Sequence, residues 1–417
     1  MTRSDAARGE GRFPGRFREA EERGRRIARP LLWLTGIGGE VDEELMERLG
    51  AALLQRDEPG AALAGAMGLP DGAAGRVTRA QVGAALRAAP DMPEGLPGAL
   101  RSFLEQVVAV PDWVDWGRVE SGAATFRSLG RNSGDVLTLL SLVGGYRFGG
   151  PADLLVLTGG LADGRTLRRL GETAAWSHAV TRPGGLRPGA EGWRLTVHVR
   201  VMHALVNARF AARWDTGRWG CPISQADQAA TLGLFDATVI VGCLALGVRL
   251  TRRQRDDLMH LWRYVGWLMG VAPQWLTDDE DVRHRWNYHI LLAAGGQSGA
   301  GRELARLTMD AQAERAFGHR APAVERLHQR YERARQLSML TAFVGLPGMR
   351  DLGLRPRLPW AVPLAQTRNV VRYRVLGALP GGRHRLEERG ARAQNAYLAS
   401  LFPGGGDAAV ARLPESA

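Results

Sequence analysis

Apolar residues recur three and four positions apart along most of this chain. In 40-EVDEELMERLGAALLQRD-57, 78-TRAQVGAALRAA-89, 99-ALRSFLEQVVAV-110 and 164-GRTLRRLGETAAWSHAV-180 they gather on one side of a helix turning every 3.6 residues, with charged residues on the other side. The strict alternation of a half-buried strand is hard to find, so the pattern predicts an all-α fold. Thr78 is placed to cap its helix, and 277-TDDE-280 has capping-box spacing, a threonine followed three residues on by a glutamate. The acidic run 278-DDED-281 is then accounted for by the positive end of a helix, without a metal ion. Glycine- and proline-rich stretches at 147-RFGGP-151, 182-RPGGLRPGAEG-192, 214-WDTGRWGCP-222 and 345-GLPGMRDLGLRPRLP-359 mark loops, and none is a long interdomain linker. The chain reads as one large helical domain over 29–400, between a flexible Arg-rich tail at 1–28 and a flexible C-terminal tail at 401–417.

With 417 residues, 45% of them hydrophobic, the chain can bury a large core. It contains no lysine, so all 55 basic side chains are arginine and the net charge of +12 rests on groups that stay protonated. These arginines are scattered rather than gathered on one stripe among aromatics, which argues against nucleic acid as a partner. Without lysine a Walker phosphate loop is impossible, and there is no strand–GxGxxG–helix context, GxSxG or HExxH. Cys221 and Cys243 form no CxxC and imply no disulfide scaffold.

The longest apolar run, 231-TLGLFDATVIVGCLALGVRL-250, approaches membrane length. It holds Asp236 and is followed by 252-RRQRDD-257, so a core helix is expected instead of a transmembrane segment. At the N-terminus Arg29 and Pro30 interrupt a short apolar run, and a cytoplasmic location is expected; the alternative is secretion through a twin-arginine signal at Arg25 and Arg26.

Nine histidines are candidates for chemistry. His178, His284, His319, His328 and His384 have charged or loop-like neighbours and read as solvated surface groups. His260 and His289 read as core histidines with satisfied ring nitrogens. His203 is different. It sits in 194-RLTVHVRVMHALVNARF-210, with Arg200 one turn before it, Asn207 one turn after, and valines beside them on the same side. An imidazole buried there needs a partner.

Thirty residues earlier, in 168-RRLGETAAW-176, Arg169 and Thr173 share one face of a helix. The series RxxxT, a Pro- and Gly-rich loop, VRVMHA, then 222-PISQADQAATLGLFDATVIVGCLALG-247 and 262-WRYVGWLMGV-271 resembles the latex clearing protein family, rubber oxygenases grouped with the MpaB-type oxygenases. The resemblance runs from about Arg29 to Gly345 and is strongest between Gly149 and Asp281.

It implies an all-helical, globin-like haem-binding core at about 115–345, holding b-type haem (iron protoporphyrin IX) without covalent attachment. His203 would be the proximal iron ligand, Arg200 and Asn207 its neighbours at the cofactor, and Arg169 and Thr173 residues for activity or haem retention. The implied activity is that of a dioxygenase, using O2 to cleave a C=C bond of an apolar alkene or isoprenoid-like substrate, polymeric or small, with an electron donor to reduce the haem. Glu172 stands where the family has a lysine that caps the distal iron site. That departure implies an open ferric haem, five-coordinate or water-bound. Asn207 stands where the family has a second arginine, so one ionic contact is missing. Asp153 matches by spacing an acidic residue proposed as general base, and Asp153 or Glu172 would need partial burial to remove an allylic proton. Two competing readings are a non-enzymatic haem protein that binds or senses a gas, and a helical binding protein in which His203 is merely packed.

Overall fold

Helix ends follow the expected capping chemistry with one shift. The Thr78 hydroxyl accepts the Gln81 N–H, and the Gln81 side chain accepts the Thr78 N–H, closing a capping box. At 277-TDDE-280 the cap is Asp279 instead of Thr277: its carboxylate accepts the N–H groups of Asp281 and Val282, and the helix runs Glu280–Ala293. Tertiary contacts chose that start, because Asp278 and Glu280 are drawn off into ion pairs. Asp278 faces His260 at 3.2 Å, Arg118 at 2.9 Å and Arg263 at 3.4 Å, while Glu280 meets Arg255 at 2.9 Å. The His260 ring, and after it Arg263 and Arg118, hold the Asp278 carboxyl well below its ordinary value of 3.8. A depressed carboxylate stabilises the fold above its unfolded pKa and loses that contribution as pH falls through the folded value. Replacing Asp278 with Asn is therefore expected to lower stability at neutral pH and flatten its decline below pH 3.8, read by denaturant melts across an acid series.

The computed structural model describes residues 12–159 and 165–402, and among these every regular element is a helix, with no strand. The centre is the Arg252–Leu268 helix, on which Leu258, Met259, Leu261, Trp262, Tyr264, Val265 and Leu268 are all buried. It lies directly against the Trp116–Leu129 helix, where a Cβ on Gly122 would stand 2.2 Å from the Asp257 carbonyl oxygen. Only a glycine permits that approach.

The long apolar run is two helices, Gln225–Phe235 and Ala237–Ala245, broken at Asp236. By length and composition Gln225–Ala245 could cross a membrane, yet most of it is buried within the fold. The break has a physical cause. Asp236 is fully enclosed and pairs at 2.9 Å with Arg283, itself fully buried, and a straight helix would leave that carboxylate no cation in an apolar core.

The expected N-terminal tail is ordered where it is described. Gly15 and Arg16 donate backbone hydrogen bonds to Gly217 and Arg218, Arg16 is only 4% exposed, and a helix begins at Glu21, so the fold starts before position 29. Arg16 is drawn in by Asp227, with Nη1 3.0 Å from Oδ1. The arginine content that suggested a solvated tail supplies a buried ion pair. At the other end Leu401 is buried, while 1–11 and 403–417 lie outside the described residues.

Candidate functional site

Helix Glu191–Phe210 buries Trp193, Thr196, Val197, Arg200, Val201, Ala204 and Asn207, and turns His203 toward a cavity. Leu154 and Leu155 line it from helix Pro151–Leu157, Trp176 from helix Arg165–Thr181, Ile223 from a loop, and Val265 and Met269 from the central helix. The cavity has a volume of about 260 Å³, a little below the range usual for ligand sites, roughly 300–1,000 Å³. Its polar corner is Asp227, Gln228 and Thr231, with Arg16 behind Asp227.

No hydrogen bond reaches either ring nitrogen of His203, and Nδ1 is enclosed without a partner. Burial pushes the ring's pKa down to about 4, against a small opposing pull from Asp57. The imidazole is therefore neutral at physiological pH, with a free lone pair facing apolar space. Neutral imidazole is the form that binds iron. Among the described residues no group of three or more His, Cys, Asp or Glu side chains is arranged to hold a bare metal ion. A single histidine in an apolar cavity is the donor set of a haem pocket, so the residues present fit that group.

The neighbours of His203 do other work. Arg200 is buried and gives both arms to Asp57, Nε to Oδ2 at 2.7 Å and Nη2 to Oδ1 at 2.8 Å, with a further contact to Gln106 at 3.2 Å. It does not line the cavity, so the expected cofactor contact is replaced by a pair that ties this helix to the N-cap of helix Glu58–Met67. Asn207 bonds both backbone groups of one residue, accepting from the Ile223 N–H at 2.7 Å and donating to the Ile223 carbonyl at 3.0 Å. Its amide pins the loop whose Pro222 and Ile223 form one wall. Asn207→Ala is expected to cost about 1–3 kcal/mol by leaving the Ile223 N–H and carbonyl unpaired, checked by urea melts.

A second cavity, about 200 Å³ inside, adjoins the first, and Thr231 and Phe235 line both. The wall between them is an aromatic cluster: Phe235 packs on Trp262 at 5.0 Å and on Trp176 at 5.4 Å, and Phe126 on Trp262 at 5.6 Å. Helix Arg131–Asp135 continues into the second cavity as a π-helical turn, Val136–Val143, whose Leu137, Thr138, Ser141 and Leu142 face it. Such turns are rare and cluster at functional sites.

The RxxxT segment belongs to this second cavity. Thr173 lines it, exposed, with its hydroxyl donated to the Arg169 carbonyl at 3.1 Å; Arg169 points to solvent, and Glu172 pairs with Arg168 at 3.1 Å. Asp153 accepts the Gly150 N–H at 2.9 Å as part of the start of its helix. Neither Asp153 nor Glu172 lines a cavity, and the carboxylate among the lining residues is Asp227. From the helix of Thr173, the side chain that reaches the His203 cavity is Trp176, one turn on, fixed by its Nε1–H to the Thr196 hydroxyl at 3.0 Å.

Two of the other histidines differ from expectation. His284 is buried, with Nε2 3.2 Å from Glu280, because its helix faces Asp236 and the core. His178 lines the second cavity, half-buried. His260 and His289 are satisfied core histidines, each accepting a backbone N–H at 2.9 Å on Nε2, from Asp115 and Asp42.

Residues 131–373 match the family described as ER-bound oxygenase mpaB/B'/Rubber oxygenase, catalytic domain. The chain is 23% identical over 233 residues to the rubber oxygenase of Streptomyces sp. (strain K30), covering 55% of this chain and 57% of that protein, so the match spans just over half of the relative's length. Its fold is similar to the structure of latex clearing protein LCP in the closed state, with a TM-score of 0.57 and 21% identity over 88% of this chain and 94% of that one.

Proposed function

The chain belongs to the family of mpaB-type and rubber oxygenase catalytic domains, and from that premise we propose that it is a b-type haem-dependent oxygenase in which His203 would hold the iron. Its substrate class is an apolar alkene or isoprenoid-like chain, whose C=C bond is oxidised or cleaved with dioxygen. Bound haem supplies the redox-active iron that makes dioxygen reactive toward an alkene. The observation that carries this reading is the His203 ring, neutral and free of hydrogen bonds, lining an apolar cavity inside the matched segment.

The chain's own groups divide the remaining work. His203 would hold the cofactor through its free nitrogen. Leu154, Leu155, Val265 and Met269 would offer apolar surface to a macrocycle and an alkene. Arg200 and Asn207 serve as positioning residues, one locking the helix of His203 and the other the Ile223 loop. At the polar corner Asp227 is held between Arg16 and the Ser224 hydroxyl, the latter at 2.7 Å, so it is oriented before anything binds. Gln228 and Thr231 are the neutral polar side chains that line this corner.

The test is direct. Protein purified with haem supplied should show a Soret band, and on reduction under oxygen with squalene as probe should consume oxygen and yield carbonyl products that a hydrazine reagent traps. A Soret band with no carbonyl product would favour gas binding over catalysis, and absence of the band would remove the reading altogether.

A further inference from the structure

The cavity beside the haem site is lined by many hydroxyls, yet most are already engaged. Thr173, Thr181 and Thr231 donate to the carbonyls of Arg169, Ser177 and Asp227, Ser133 to Gly130, and Ser141 to Leu234. What these side chains offer the interior is largely carbon. The exceptions among the described residues are the His178 ring and, beside it, the Ser177 hydroxyl. The ring lines the cavity, no hydrogen bond reaches either nitrogen, and Nδ1 is enclosed without a partner. The cations near it are committed elsewhere: Arg127 to Glu387 and the Thr181 carbonyl, and Arg182 to Glu191 at 3.1 Å. Burial first, then Arg182, lowers the ring's affinity for a proton, so it is a neutral group able to donate from one nitrogen and accept on the other.

Space sets the size of the guest. An apolar cavity of about 150 Å³ takes one benzene, so this one, at about 200 Å³, holds the end of a short chain and not a polymer coil. Phe235 and Thr231 line both cavities, so a chain whose end lies beside His178 would reach His203 only past the edge of that shared wall. We propose that the second cavity is a terminus-binding subsite in which His178 recognises a hydroxyl or carbonyl on the end of an isoprenoid-like chain, making the substrate a short, polar-ended molecule. This rests on the oxygenase reading of the adjoining site and narrows its substrate class.

The experiment measures binding calorimetrically, using purified protein with geraniol and with its deoxy hydrocarbon as probes. One hydrogen bond to a neutral group corresponds to about tenfold in affinity, so geraniol is expected to bind about tenfold tighter than the hydrocarbon. His178→Leu should erase that preference while leaving hydrocarbon binding unchanged, which also shows that the variant is folded. His178→Gln, which can still donate and accept, should keep it. Equal affinity of the wild type for the two probes, or a geraniol preference that survives His178→Leu, overturns the proposal. The Soret band read on the same samples separates the two ideas. Its absence removes the oxygenase reading, whereas its presence beside a His178-independent preference removes only the subsite.

Discussion

Replacing His203 with Ala is expected to abolish the Soret band of protein purified with haem, or shift it to that of haem lacking an imidazole ligand, and to remove oxygen-dependent turnover with it. The expectation follows from how the ring is kept. Its nitrogens have no protein partner, so the alanine variant leaves no broken hydrogen bond behind and the fold should survive. The same substitution at His260 or His289 has the opposite character. Each ring bonds on both sides, His260 to the Asp115 N–H and Asp278, His289 to the Asp42 N–H and the Arg285 carbonyl, so stability should fall while the spectrum stays. The spectrum and the urea midpoint of the three variants together distinguish a ligand from two structural rings. A His203→Ala protein with an unchanged Soret band would place the iron elsewhere.

The second large effect concerns the pair behind that helix. Asp57→Leu is expected to destabilise the protein by about 3–5 kcal/mol, because it leaves the buried Arg200 guanidinium facing the Phe103 ring and Gln106 without its carboxylate. Most of that cost is the uncompensated charge. Adding Arg200→Leu to the same chain should therefore restore much of the loss, since a buried pair replaced as a whole by apolar groups is often close to neutral. A double-mutant cycle by urea denaturation measures the coupling. If Arg200 instead served a cofactor carboxylate, Arg200→Leu alone would impair haem retention with little effect on the apo protein, and Asp57→Leu would matter less.

Much was legible along the chain. The apolar period of three and four announced helices, the Thr78 cap was placed correctly, and the spacing from RxxxT to VRVMHA led to the family that residues 131–373 match. These features depend on neighbours in sequence, so sequence carries them. His203 stood out for the same reason, as a titratable ring on an apolar helix face, and the structure opens a cavity beside it. The charged neighbours were less readable. Spacing places Arg200 on the right side of its helix but does not tell that Asp57, 143 residues away, takes both its arms. Nor does it tell that Arg16, from an apparent tail, closes on Asp227.

The amino-acid order by itself determined the helical class and the helix start at Thr78, because periodicity and capping are satisfied within a few residues. Only the tertiary structure decided which charges pair, where the Asp236 break falls, that the RxxxT helix offers Trp176 to the His203 cavity, and that His178 lines a second chamber beyond Phe235. Burying a charge or leaving a ring unpartnered is a matter of what arrives from distant segments once water has been excluded, and no local pattern encodes that arrival.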